Sequence, residues 1–154
     1  GFMFFPSMQQ AANEMARVLK PGGRIAVMVW AGPEKNFWVT CMVRNIQKYI
    51  DMPQPEPGAP GMFRCAQLGL LAGIFRNAGL QDVQEREVPT TVPVSGPQEY
   101  WDMQTEVGAP FVAALSKVDA STVAKVRAGV LADMAERYPN GNIAPCGILV
   151  TAVK

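Results

Sequence analysis

Glu14-Met15-Ala16-Arg17-Val18-Leu19-Lys20 runs into Pro21-Gly22-Gly23 and then into Arg24-Ile25-Ala26-Val27-Met28-Val29-Trp30. No other stretch restricts the fold as tightly. Before the break, Met8, Ala11, Ala12, Met15, Val18 and Leu19 recur at helical spacing behind Ser7 and Gln10, which match a capping box. The spacing predicts a helix over Met8 to Leu19. Proline and two glycines cannot continue it, and the residues that follow are almost wholly apolar rather than alternating. That pattern predicts a strand covered on both faces, as in a parallel sheet, so the chain is expected to be α/β.

The rest of the chain keeps this alternation. Gly32-Pro33 breaks the strand, Asn36 is placed to cap, and Trp38, Cys41, Met42, Ile46, Tyr49 and Ile50 form one stripe of a second helix over Phe37 to Asp51. Pro53 to Gly61, with four prolines and two glycines, predicts an extended loop, a hinge or a disordered tip. Leu68, Leu71, Ala72 and Phe75 mark a third helix that Asn77-Ala78-Gly79-Leu80 should close. Asp82 to Val88 reads as a strand, and its run Gln84-Glu85-Arg86-Glu87 is polar enough to place it at a sheet edge. Pro97 to Tyr138 is helical, broken at Gly108-Ala109-Pro110 and re-capped near Asp119 or Ser121, with Val123, Val126, Val130, Leu131, Met134 and Tyr138 as its buried face. Pro139 to Asn142 is a turn, and Gly147 to Val153 is an apolar closing strand. With 154 residues, one core and one domain over 1–154 are expected, with 97–138 as a helical insertion.

Composition removes several kinds of function. Fourteen Lys and Arg against thirteen Asp and Glu leave no net field to hold nucleic acid or an anionic membrane surface. No apolar stretch approaches the roughly 20 residues that span a bilayer. There is no histidine, so Ser-His and Cys-His nucleophile pairs are excluded. Cys41, Cys65 and Cys146 form no Cys-x-x-Cys pair, so neither a zinc site nor a disulfide framework is expected, and free thiols suggest a cytoplasmic setting. The apolar start, Gly1 to Pro6, has no basic leader and reads as the middle of a protein.

The segments Phe2-Met3-Phe4-Phe5-Pro6-Ser7-Met8 and Glu14 to Val27, with their E-x-x-R-V-L-K-P-G-G run, resemble the region that follows the cofactor site in class I S-adenosylmethionine-dependent methyltransferases. The nearest subgroup is the broad type 11 one that includes ubiquinone and menaquinone biosynthesis C-methyltransferases. The likeness is specific over about the first 30 residues; beyond them it is one of element order. It implies a partial Rossmann-like sheet in which Arg24 to Trp30 is the fifth strand, Asp82 to Val88 the sixth and Gly147 to Val153 a seventh, inserted antiparallel between them. Ser7 stands where relatives often carry Asp, which preserves the cap.

The resemblance also implies what this chain lacks. A cofactor site of this type needs a Gly-rich turn after the first strand and an acidic residue at the end of the second. Neither is present, and Gly22-Gly23 lies between a helix and the start of a strand, at the end of the sheet opposite the ligand crevice. The expectation is a fragment of a small-molecule methyltransferase that is inactive alone. S-adenosylmethionine is the cofactor of the parent family, and none is expected on this chain, with the cofactor half encoded upstream of Gly1. The competing expectation is a non-catalytic small-molecule-binding or oligomerisation module derived from the same fold.

Open α/β sheets place ligands at the carboxy ends of their parallel strands. Phe2, Met3, Phe4 and Phe5, Trp30 at the end of the fifth strand, and Trp38, Tyr100 and Trp101 from the helices are therefore the substrate-pocket candidates, with ordinary core packing as the alternative for each. Glu85, Glu87, Glu99, Asp102 and Glu106 have no activating partner in sequence and read as solvated faces. Methyl transfer depends on alignment more than on an acid or base, so no catalytic residue is assigned. An unpaired edge along the apolar fifth strand has to be paired with a second copy or covered by the Phe2 to Phe5 segment, and a homodimer is the favoured expectation.

Overall fold

The computed structural model describes residues 1–52, 56 and 58–154, so part of the predicted Pro53–Gly61 loop lies outside the described residues. The chain forms two compact units. Gly1–Lys35, Pro55–Thr90 and Cys146–Lys154 make the first, and Asn36–Gln54 with Thr91–Pro145 make the second. The segment 97–138 belongs to the second unit together with the helix that begins at Phe37.

In the first unit, α1 (Met8–Val18) leads into β1 (Arg24–Trp30), and α3 (Leu70–Asn77) leads into β2 (Gln81–Pro89), while β5 (Cys146–Val153) closes the chain; α2 (Phe37–Gln47) lies in the second unit. The sheet order is β1-β5-β2, and β5 is antiparallel to both neighbours. β1 and β2 therefore run in the same direction with the last strand reversed between them, and β2 lies at an edge as its polar run predicts. Arg24 pairs with Val153 and Trp30 with Gly147 along one side of β5. On the other side a bulge between Gln81 and Gln84 breaks the register, and Asp82 there takes a left-handed φ of 49°.

Side chains alternate across a strand, and the two faces of this sheet differ. Ile25, Val27 and Val29, with Ile148, Val150 and Ala152 of β5, pack against Ala12 and Ala16 of α1 and Leu71, Ala72 and Phe75 of α3. On the opposite face Arg24, Ala26 and Met28 are exposed, Met28 at 47%. The expectation of a strand covered on both faces is thus corrected, because among the described residues β1 alternates between a packed and an exposed face; its antiparallel pairing with β5 is as expected. An apolar run shows that a strand tolerates burial, but the cover has to come from other elements.

Helix ends follow local chemistry closely. Ser7 Oγ accepts from the Gln10 amide at 3.3 Å. At the end of α3, Leu80 N donates to Phe75 O at 3.2 Å and Gly79 N to Arg76 O at 3.0 Å, with Gly79 at φ 82°, the Schellman closure that Asn77-Ala78-Gly79-Leu80 predicts. The helix starts later than predicted, at Leu70, because Gly69 at φ 87° cannot be its first helical residue; Leu68 consequently lies outside it and is exposed.

The second unit joins α2 to α4 (Pro97–Val107), α5 (Ala109–Leu115) and α6 (Ala120–Arg137), with a two-stranded ribbon of β3 (Val92–Pro93) and β4 (Asn142–Ile143). Its core contains Cys41, Met42 and Ile46 of α2, Tyr100 and Trp101 of α4, and Val126, Val130 and Met134 of α6. The predicted break at Gly108 and the cap at Asp119 are both present, the latter with Asp119 Oδ1 accepting from Thr122 N at 2.7 Å. α2 ends at Gln47, so Tyr49 leaves the predicted stripe and is exposed. α2 and α6 meet at Gly129, where a Cβ would lie 2.3 Å from Asn45 Oδ1, so glycine is what admits the buried amide.

Candidate functional site

The predicted pocket residues divide between the two units: Phe2, Met3, Phe4, Phe5 and Trp30 lie in the first, and Trp38, Tyr100 and Trp101 in the second. In the first, Phe2–Phe4 form a short 3-10 turn in contact with β1. Phe2 and Met3 are buried in the unit's core, and Phe2 packs edge-on against Phe5 and Phe75, each at 5.8 Å between ring centroids. Arg64 fastens this turn by donating to the carbonyls of Phe5 and Pro6. Phe4 and Phe5 reach solvent at 55% and 41% exposure, and Trp30 is half-buried at the end of β1.

In the second unit Asn36 precedes α2 as its cap residue, yet its side chain makes no capping bond. Its Oδ1 instead accepts from the Trp38 indole at 3.0 Å. Tyr100 is fully buried, donates its hydroxyl to the Trp38 carbonyl, and is held protonated above its ordinary range by burial. Trp101 is buried beside it in the same core. Burial, followed by the nearby Asp133 carboxylate, pushes the Cys41 thiol up to about 12, so neither Cys41 nor Tyr100 ionises at neutral pH to act as a nucleophile or base.

The acidic residues considered as bases mostly serve the fold. Glu87 pairs with Lys35, and this contact raises the lysine's pKa. Glu85 accepts from the Gly69 amide ahead of α3, and Glu99 accepts from the Ser95 amide ahead of α4, which lowers its carboxyl below the usual range. Asp102 accepts from Gln98 at 2.6 Å, and Glu106 is exposed. Among the described residues no three His, Cys, Asp or Glu side chains are grouped to hold a metal ion.

The only glycine pair in the chain does not fit an S-adenosylmethionine site. Gly22 N donates to Lys154 O at 2.8 Å and Gly23 N to Lys20 O at 2.8 Å, so both amides that could face a ligand are already spent. Lys154 N returns a bond to Gly23 O at 2.9 Å, which extends the β1–β5 ladder into the turn.

No family model matches the chain, and no curated protein matches it. Among solved structures, the whole chain aligns with part of Haemonchus contortus phosphoethanolamine N-methyltransferase 2 in complex with S-adenosyl-L-methionine, at 12% identity and a TM-score of 0.43. The chain spans 31% of that protein's length. So distant a likeness carries no argument about activity. No helix among the described residues is long and apolar enough to cross a membrane.

One cluster in the second unit was not legible in the sequence. Phe37, Arg44, Asp133, Glu136 and Arg137 line a cavity of about 330 Å³. The guanidinium carbons of Arg44 and Arg137 lie 5.9 and 6.0 Å from the centre of the Phe37 ring. Phe37 and Arg44 are two helical turns apart, a spacing that could have suggested a shared face. Arg137 is a hundred residues away, and nothing local announces it.

Proposed function

We propose that this chain is the substrate-side portion of a Rossmann-like S-adenosylmethionine-dependent methyltransferase that acts on a small molecule. The observation that carries this is β5, reversed between two strands of common direction, in the order that the resemblance of Phe2–Val27 implies. A simple meander would have put consecutive strands side by side. The E-x-x-R-V-L-K-P-G-G run leading from α1 into β1 supports the same reading.

Within it, the methyl acceptor approaches the carboxy end of β1, where Trp30 lies, and the aromatic residues of the Phe2–Phe5 turn bound its path. The cofactor is held by residues other than those described, since the Gly22-Gly23 amides are committed to the chain's own backbone. The chain alone is inactive. On its own it forms a homodimer in the cytoplasm through the outer edge of β1.

The coding DNA immediately preceding the Gly1 codon tests the family reading. It is expected to encode, in frame, a first strand followed by a Gly-rich turn and a second strand ending in Asp or Glu. An in-frame start codon at this point, with no such segment before it, would contradict the proposal.

A further inference from the structure

We propose that the cavity between α2 and α6 binds a small zwitterion carrying an ammonium group beside a carboxylate. This site lies wholly in the second unit and stands whether or not the methyltransferase reading holds. Its floor is the Phe37 ring, fixed edge-on to Tyr138 at 6.0 Å between centroids. Arg44, from the last turn of α2, and Arg137, from the last turn of α6, bring two positive charges to that ring.

Their own charges repel, and among the described residues neither guanidinium forms an ion pair, although Asp133 and Glu136 line the same cavity. Arg44, Arg137 and Glu136 are all exposed, and two cations with unspent donors at the mouth of the cavity suit a carboxylate, which accepts paired N–H bonds from a planar guanidinium. The acidic residues decide what else the ligand carries. Asp133 Oδ2 is occupied by Asn45 Nδ2 at 2.8 Å, and Asn45 Oδ1 in turn accepts from Lys48 at 2.7 Å. Among the described residues Glu136 has no such partner. The lining is formally neutral, two Arg against Asp133 and Glu136. A simple anion would meet the free Glu136 carboxylate, whereas a neighbouring ammonium group would complement it.

The test uses the full chain and follows the Arg side-chain N–H resonances by NMR during titration with glycine, acetate, inorganic phosphate and ethylammonium. Glycine is expected to saturate with a dissociation constant of about 10 mM or tighter. Acetate and phosphate should bind more weakly, and ethylammonium should not bind. Arg44→Gln and Arg137→Gln should each weaken glycine about tenfold, and Glu136→Gln should abolish the preference for glycine over acetate. Arg44→Lys keeps the charge and removes the fork, so it should also weaken glycine if the paired bonds matter. Absence of saturation by glycine, phosphate binding tighter than glycine, or Arg variants that fold and bind like the parent would each overturn the proposal.

Discussion

Phe75→Ala should destabilise the first unit by about 3–5 kcal/mol, the usual cost of deleting a buried aromatic side chain. Phe75 is fully buried on α3 and meets Phe2 edge-on, and the surrounding cluster joins α1, α3 and three strands. Its removal leaves a void bordered by backbone that cannot all move inward, because α3 is tied at its end by the Leu80–Phe75 and Gly79–Arg76 bonds. The loss is a large share of a domain stability of about 5–15 kcal/mol. Urea denaturation followed by circular dichroism measures it, with Phe4→Ala as the control. Phe4 lies in the same aromatic turn but is 55% exposed, so its truncation should change stability by no more than about 0.5 kcal/mol. Equal effects for the two variants would show that the core does not centre on Phe75.

The second expected result is a dimer that Met28→Pro abolishes. Ala31 N donates to Cys146 O and Lys154 N to Gly23 O, which fixes the parity of the β1–β5 ladder. Counting by two, Ile25, Val27 and Val29 direct their backbone groups toward β5, and Arg24, Ala26 and Met28 direct theirs toward the outer edge. An edge of this kind is a template for another strand. A second copy related by a two-fold axis would run antiparallel there, its outward-facing residues Arg24, Ala26 and Met28 meeting the same set on its partner. Proline at 28 removes an outward N–H and leaves the β5 ladder intact, whereas Val27→Pro would damage the sheet itself. Light scattering at micromolar concentration should give twice the chain mass for the parent and the chain mass for Met28→Pro. A monomeric parent, or a dimer indifferent to the proline, would rule out this edge.

What was legible in the sequence is what local chemistry controls. Ser7, Gly79 and Asp119 carry their signals within four residues of the bonds they make, so α1, the end of α3 and the start of α6 were readable. The position of β5 between β1 and β2 came from the resemblance of the first 30 residues, since strand order has no signature in a strand's own composition. What escaped depends on distant partners. Apolar residues in β1 look the same whether one face or two is covered. Asn36 has the identity of a capping residue, but a neighbouring indole takes its side chain.

The same physics limits the reading of the candidate pocket. Phe2, Met3, Tyr100 and Trp101 satisfy an aromatic-pocket pattern and a core pattern equally well, and their burial is in the cores of two different units. The Arg44–Phe37–Arg137 cluster depends on α2 and α6 meeting, a contact that Gly129 permits and that no local spacing predicts.

Calorimetric titration of S-adenosylmethionine tests most directly the claim that this chain is one portion of a methyltransferase and holds no cofactor by itself. It is to be run on the 154-residue chain and on the same chain extended by the coding sequence that precedes Gly1 in frame. Saturable binding is expected for the extended protein and no binding heat for the shorter one. Saturable micromolar binding by the 154-residue chain, or none by the extended protein, would contradict it.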